Sequence, residues 1–206
     1  DSEGFGADAT TGIGRAVPLA EHLDDVTTAA GELADALMLP SNERTVLETA
    51  AGWHDVGKAH EAFQRGIGYS PDDPDGPWAK SPRGGRPDYR VEDADGHTRR
   101  RPGFRHELAS LLVWLAHGDA GGAPIDPDLV AYIIAAHHGR VRMGLRALPN
   151  EAEPPSADQL YARGVWDGDR LPALQLDGLH LPETELRLDI MRLGRGPAGP
   201  SWSERT

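Results

Sequence analysis

Four apolar helical runs in this chain each carry histidine on or beside the face they would bury, and this limits how the chain can fold. His22 stands three residues after Leu19 and four before Val26, and His54 continues the line of Val46 and Ala50. His106 precedes Ala109 and Val113, while His137 and His138 follow Ile133 and Ile134 by four. A lone histidine on such a face is usually a satisfied core residue. Five of them, with Asp55 beside His54, cannot all be hydrogen-bonded cheaply in a core unless they share a partner. A metal centre is that partner, so the four runs are expected to meet around it.

The runs are well marked. LAEHLDDVTTAAGELADALML, from Leu19 to Leu39, places its apolar residues at helical spacing. Pro40-Ser41-Asn42-Glu43 then supplies a stop, an N-cap and a first-turn acid before a second helix through Val46, Ala50 and Trp53 to His54. HELASLLVWLA from His106, and LVAYIIAAHH opened by Asp126-Pro127-Asp128 and closed by Gly139, complete the set. Residues 1–18 are glycine-rich and polar and read as a linker. Residues 65–103 hold much of the proline, glycine and arginine without an apolar period, the composition of a functional or disordered loop. Beyond Gly139, VWDGDRL and LQLDGLHL suit a short hairpin, and ELRLDIMRL (Glu185 to Leu193) reads as either strand or helix. The expected fold class is mostly α: a helical bundle over residues 19–206 with a long irregular insertion at 65–103 and a loop-rich C-terminal part.

Cysteine is absent, so disulfides and thiolate ligands are excluded, and any metal must be held by nitrogen and oxygen. No apolar run approaches the roughly 20 residues that span a bilayer, and the N-terminal stretch lacks the basic and apolar parts of a signal peptide. A cytoplasmic chain without a membrane partner is the expectation. The net charge of −12 argues against nucleic acid for the bulk of the domain. Its distribution softens that: Arg83, Arg86, Arg90, Arg99, Arg100, Arg101 and Arg105 outnumber Asp88, Glu92, Asp93 and Asp95 over one short stretch. By charge alone this basic island reads as a solvated loop of mixed sign; the alternative is that, with Trp78, Tyr89 and Phe104 as stacking surfaces, it lines the entry for a single strand.

The motifs E-H-L-D-D-V at His22, H-D-V-G-K at His54, R-H-E at His106 and A-A-H-H-G at His137-His138 together resemble the HD superfamily of metallophosphohydrolases. Within it the chain is most similar to the HD nuclease domain of the type I CRISPR-associated helicase-nuclease, over roughly residues 19–142. The resemblance implies an HD-domain helical bundle with two divalent metal ions, of manganese, iron, nickel, cobalt, magnesium or zinc. His22, His54 and Asp55 would hold the first and His106, His137 and His138 the second, with Asp55 bridging. His54, Asp55 and Lys58 form the implied catalytic set, Lys58 facing the scissile phosphate. Implied partners are single-stranded DNA, a helicase in the same or a partner chain, and an RNA-guided CRISPR surveillance complex. The chain would then be part of a longer helicase-nuclease.

The family pattern carries one more aspartate on a later helix. Asp189 is the only candidate in an apolar setting; otherwise that residue lies beyond Thr206. Two other readings share the H-D pair: an HD phosphohydrolase acting on nucleotides or cyclic dinucleotides, and an inactive interaction module whose ligands serve structure alone. His60 is expected near the ligands or at the surface, and His97, His117 and His180 are expected outside the centre.

Overall fold

The structure is a computed structural model. It describes residues 14–82, 87–93, 95–118, 125–139, 144–149, 151–176, 178–192, 194–196 and 199–205. Six helices are present among them: α1 Leu19–Ala36, α2 Ser41–Trp53, α3 Glu61–Gly66, α4 His106–His117, α5 Pro127–Ala136 and α6 Trp202–Arg205. The class is mostly helical, as expected, with short antiparallel strand pairs between and after the helices.

α1 lies on α2, α2 on α5, and α5 on α4, while a 3-10 turn at Val56–Ala59 packs against α4. Leu19, Leu23, Val46, Ala50, Val56, Leu111, Val113, Val130 and Ile134 fill the space between them. Burying each of the valine, leucine and isoleucine side chains among these stabilises the fold by about 1.5–3 kcal/mol. The helix starts follow local chemistry. Asp126 accepts the amide protons of Asp128 and Leu129 at 3.1 Å each, and Pro127 gives up no needed donor at the first helical position. At α2 the expected cap is displaced by one residue. Extended Pro40 occupies the cap position, and Ser41 is already helical with no side-chain cap bond.

The stretch at 65–103 is less irregular than its composition suggests. Trp78–Lys80 pairs with Val17–Pro18, so the last residues before α1 are a strand, and Arg90–Glu92 pairs with Thr98–Arg100. Strands of two or three residues are too short to display the alternation that marks a strand in sequence. Arg83, Arg86 and residues 1–13 lie outside the described residues.

The C-terminal part consists of small hairpins that contribute to the same core. LQLDGLHL forms a hairpin of its own, Leu174–Leu176 against Leu179–Leu181, whereas Arg170–Leu171 pairs with Thr184–Glu185 rather than within VWDGDRL. ELRLDIMRL is neither one strand nor one helix: it divides into the end of that strand and a 3-10 turn at Asp189–Met191. Leu171, Leu174, Leu181, Leu186 and Leu188 point inward. No helix among the described residues is long and apolar enough to cross a membrane.

Candidate metal centre

The H-D-V-G-K stretch reaches α4 through its glycine. A Cβ on Gly57 would lie 2.2 Å from the His106 carbonyl oxygen and 2.6 Å from the Ser110 nitrogen, so only glycine permits this approach. The Gly57 amide donates to the Ser110 hydroxyl at 2.8 Å. Across the same turn Gln64 donates to the carbonyls of Lys58 (2.6 Å) and Trp78 (2.9 Å) and accepts from the Trp78 amide (3.0 Å). Ser110 and Gln64 were not singled out in sequence. Ser110 stands inside the apolar run of α4, a polar residue in a place that calls for a partner.

The break between α2 and the 3-10 turn leaves Asp55 among four imidazoles, with a fifth one step further out. Its Oδ2 is 2.8 Å from His22 Nε2 and 3.1 Å from His54 Nε2, while Oδ1 is 3.0 Å from His106 Nε2 and 3.6 Å from His137 Nε2. His138 Nε2 stands 3.0 Å from His106 Nε2. The rings form an unbroken series, His22 to His54 to His137, then to His106 and His138, with centroid separations of 4.2–5.5 Å. Two groups of candidate ligand atoms result, His22/His54/Asp55 and His106/His137/His138. All six residues expected at the centre are therefore brought together, and each carboxylate oxygen of Asp55 faces one group.

Protonation shows what the cluster can hold. His54 Nδ1 and His137 Nδ1 lie 2.7 Å from the carbonyl oxygens of Ala51 and Ile134. A carbonyl only accepts, so in each neutral ring the proton sits on Nδ1 and Nε2 presents a lone pair. Burial, aided by His106 and His54, pushes His137 down to about 3 despite Asp55, which keeps it neutral. For Asp55 burial works the other way, raising its carboxyl, yet Lys58, His106 and the bond from His22 outweigh it and hold the group well below the usual carboxylate range. Asp55 Oδ1, whose near neighbour is His106 Nε2, and His137 Nε2 thus face one another as two acceptors 3.6 Å apart, and His137 Nε2 is buried without a hydrogen-bond partner. Two ligands of one ion with bonds of about 2.1 Å stand about 3.0–3.4 Å apart. The separations here are of that size, so the donor set fits a divalent cation.

Lys58 is not at the surface. It is 1 % exposed, with its Nζ 2.7 Å from Asp55 Oδ2. His60 is buried as well, but it serves structure. Its Nδ1 accepts the Ala62 amide at the start of α3, and its Nε2 faces Asp169 at 3.5 Å. His117 bonds Thr184 and His180 bonds Gln175, both away from the centre. His97, with Asp93 and Asp95, forms a third possible ligand group in the hairpin loop. There Asp93 already accepts from the amides of Asp95 and His97 and from Arg99.

Asp189 does not join the histidines. It lies in the C-terminal 3-10 turn, 3.5 Å from Arg187, and no candidate ligand group among the described residues includes it. The described arginines of the island are likewise otherwise engaged. Arg99 pairs with Asp93, Arg90 with Asp88, and Arg105 approaches Glu107 at 3.6 Å. Arg101, only 3 % exposed, binds Asp169 and lies 3.1 Å over the Trp166 ring. Of the expected stacking surfaces Phe104 is buried, while Tyr89, which packs on it, and Trp78, which stacks on Tyr69, are half-buried.

A helical domain with a histidine-aspartate pair at the centre of further histidines from three other helices defines the HD class. Residues 7–170 match the family model described as Cas3, HD domain, and the chain belongs to that family. HD domains of this kind bind divalent metals and are CRISPR-associated nucleases. No curated protein and no solved structure matches the chain.

Proposed function

We propose that this domain hydrolyses phosphodiester bonds of single-stranded DNA with two divalent ions held around Asp55. The observation that carries the reading is the facing pair of buried acceptors, Asp55 Oδ1 and His137 Nε2. With the His137 proton on Nδ1, its Nε2 offers Asp55 a lone pair rather than a donor, and a cation would satisfy both. Divalent ions in such a site supply Lewis acidity toward a phosphate oxygen and acidify water toward neutral pH.

The chain's own residues set the geometry. Ala51 and Ile134 fix the tautomers of His54 and His137, so their Nε2 lone pairs are ready without reorganisation. Asp55, fully ionised, offers one oxygen to each ligand group. His138 is the exposed member of the set, so substrate reaches the centre from its side. A flexible single strand can be threaded to such a recessed site where a duplex cannot. Arg90, Arg99, Arg101 and Arg105 are each set against an acid, so little of the island's charge is left to draw DNA in. Delivery of the strand by a helicase, in the same or a partner chain and recruited by an RNA-guided complex, accounts for this acidic surface.

Incubating the chain with manganese and circular single-stranded DNA, with Asp55→Asn as control, tests the reading. Degradation by the parent and none by the variant is expected. Equal degradation by both overturns the role of Asp55. Hydrolysis of free nucleotides with the circle left intact replaces the nuclease by a nucleotide phosphohydrolase.

A further inference from the structure

Lys58 engages the carboxylate oxygen that the implied first ion would use. Its ammonium is 2.7 Å from Asp55 Oδ2, the same oxygen that His22 and His54 approach at 2.8 and 3.1 Å. The side chain is 2 % exposed and its ammonium sits 5.5 Å from the centre of the Phe63 ring. Its backbone is tied at both ends, with the amide donating to Asp55 O and the carbonyl accepting from Gln64. Held in this way, the ammonium has little room to swing out to water. Among the described residues no arginine and no other lysine lies within ion-pair distance of Asp55.

We propose that Lys58 is the centre's internal stand-in cation: it neutralises Asp55 while the metal is absent and competes with the ion bound by His22, His54 and Asp55 Oδ2. The inference rests on the metal-centre reading given above. A buried carboxylate without a counter-charge is strongly destabilising, and the geometry supplies one from three residues along the chain. The same geometry places a fixed positive charge beside any ion at Oδ2, and like charges a few ångströms apart repel strongly where water is excluded. Among the described residues no such competitor stands at Oδ1, whose neighbours are His106 and His137. The two ligand groups therefore load in order: His106, His137 and His138 with Oδ1 first, the Lys58 side second.

Calorimetric titration of the full chain with manganese, with thermal melting in chelator, tests this using Lys58→Met and the double variant Asp55→Asn/Lys58→Met. The parent is expected to bind in two steps. Lys58→Met should strengthen the weaker step by about tenfold or more, corresponding to the removal of roughly 1.4 kcal/mol of repulsion, and leave the tighter step unchanged. Metal-free Lys58→Met should melt several degrees below the parent, and the double variant, which removes both charges, should recover most of that loss. If Lys58→Met is unfolded without metal, folding on addition of manganese reports the same linkage. A weaker step that is unchanged or further weakened overturns the inference, as does a variant that is unfolded with and without metal, or a metal-free melting temperature equal to the parent's. Absence of any manganese binding by the parent overturns the metal-centre reading itself, a different failure.

Discussion

Asp55 and Lys58 cannot be judged apart, and this changes what substitution of the aspartate means. Asp55→Ala removes both carboxylate oxygens and also leaves the Lys58 ammonium in a site 1 % exposed with no counter-charge. Breaking a buried pair from one side costs about 3–5 kcal/mol. The alanine variant is therefore expected to lose both metal binding and a large part of its stability. Asp55→Asn, of the same shape and with one acceptor kept, loses the metal with the smaller penalty. Urea unfolding of the two variants in chelator checks the difference, and equal midpoints would show that Lys58 finds another partner. His97→Ala should leave metal binding by titration at the parent level, since the ring is 70 % exposed and Asp93 is already bonded to Arg99. At this scale the six ligands were legible because imidazoles on apolar faces are costly unless shared. The burial of Lys58 was not, because a lysine three residues from an aspartate reads equally as a surface pair.

The element that assembles the centre is the short turn at Val56–Ala59, and its action depends on Gly57. With the His106 carbonyl and the Ser110 amide both within 2.6 Å of where a Cβ would stand, Gly57→Ala forces α4 away from the turn. His106 is the first residue of α4 and moves with it. The expected result is a loss of about 1–3 kcal/mol from overpacking together with weaker metal binding, read by melting in chelator and by manganese titration. A variant with normal metal affinity would show that the turn positions nothing. Ser110→Ala leaves the buried Gly57 amide without its acceptor, at a cost of about 1–3 kcal/mol. The long helices were readable because their apolar period extends over several turns. The strands at 78–80, 90–92 and 98–100 were not, since three residues are too few to show an alternation, and the partner of 78–80 lies about sixty residues earlier in the chain.

The C-terminal hairpins and the helices are joined by partly buried polar links that composition alone conceals. Asp169 accepts from Arg101 at 3.0 Å and from the Trp166 amide at 2.8 Å, and His60 faces it at the start of α3. His117 at the end of α4 bonds Thr184, and Arg205 of α6 bonds Asp128 of α5. Arg101 looked like part of a DNA-binding island because its sequence neighbours are exposed arginines, and only the fold reveals its buried partner. Burial by itself would raise the Asp169 carboxyl, but the bond from His60, the charge of Arg101 and the Trp166 amide leave it below its ordinary value. A carboxyl depressed in the folded state contributes stability that is fully present above its unfolded pKa of about 3.9 and is lost as pH falls through the folded value. Metal-free parent protein is therefore expected to lose this contribution progressively below about pH 4. Asp169→Asn lacks it at every pH, so it should be less stable at neutrality, by about 1–3 kcal/mol, with a flatter acid limb. Urea unfolding in chelator at a series of pH values, followed by tryptophan fluorescence, reads the two curves. Convergence of parent and variant as the pH falls supports the link, and curves that stay parallel would place the acid sensitivity in other carboxyls.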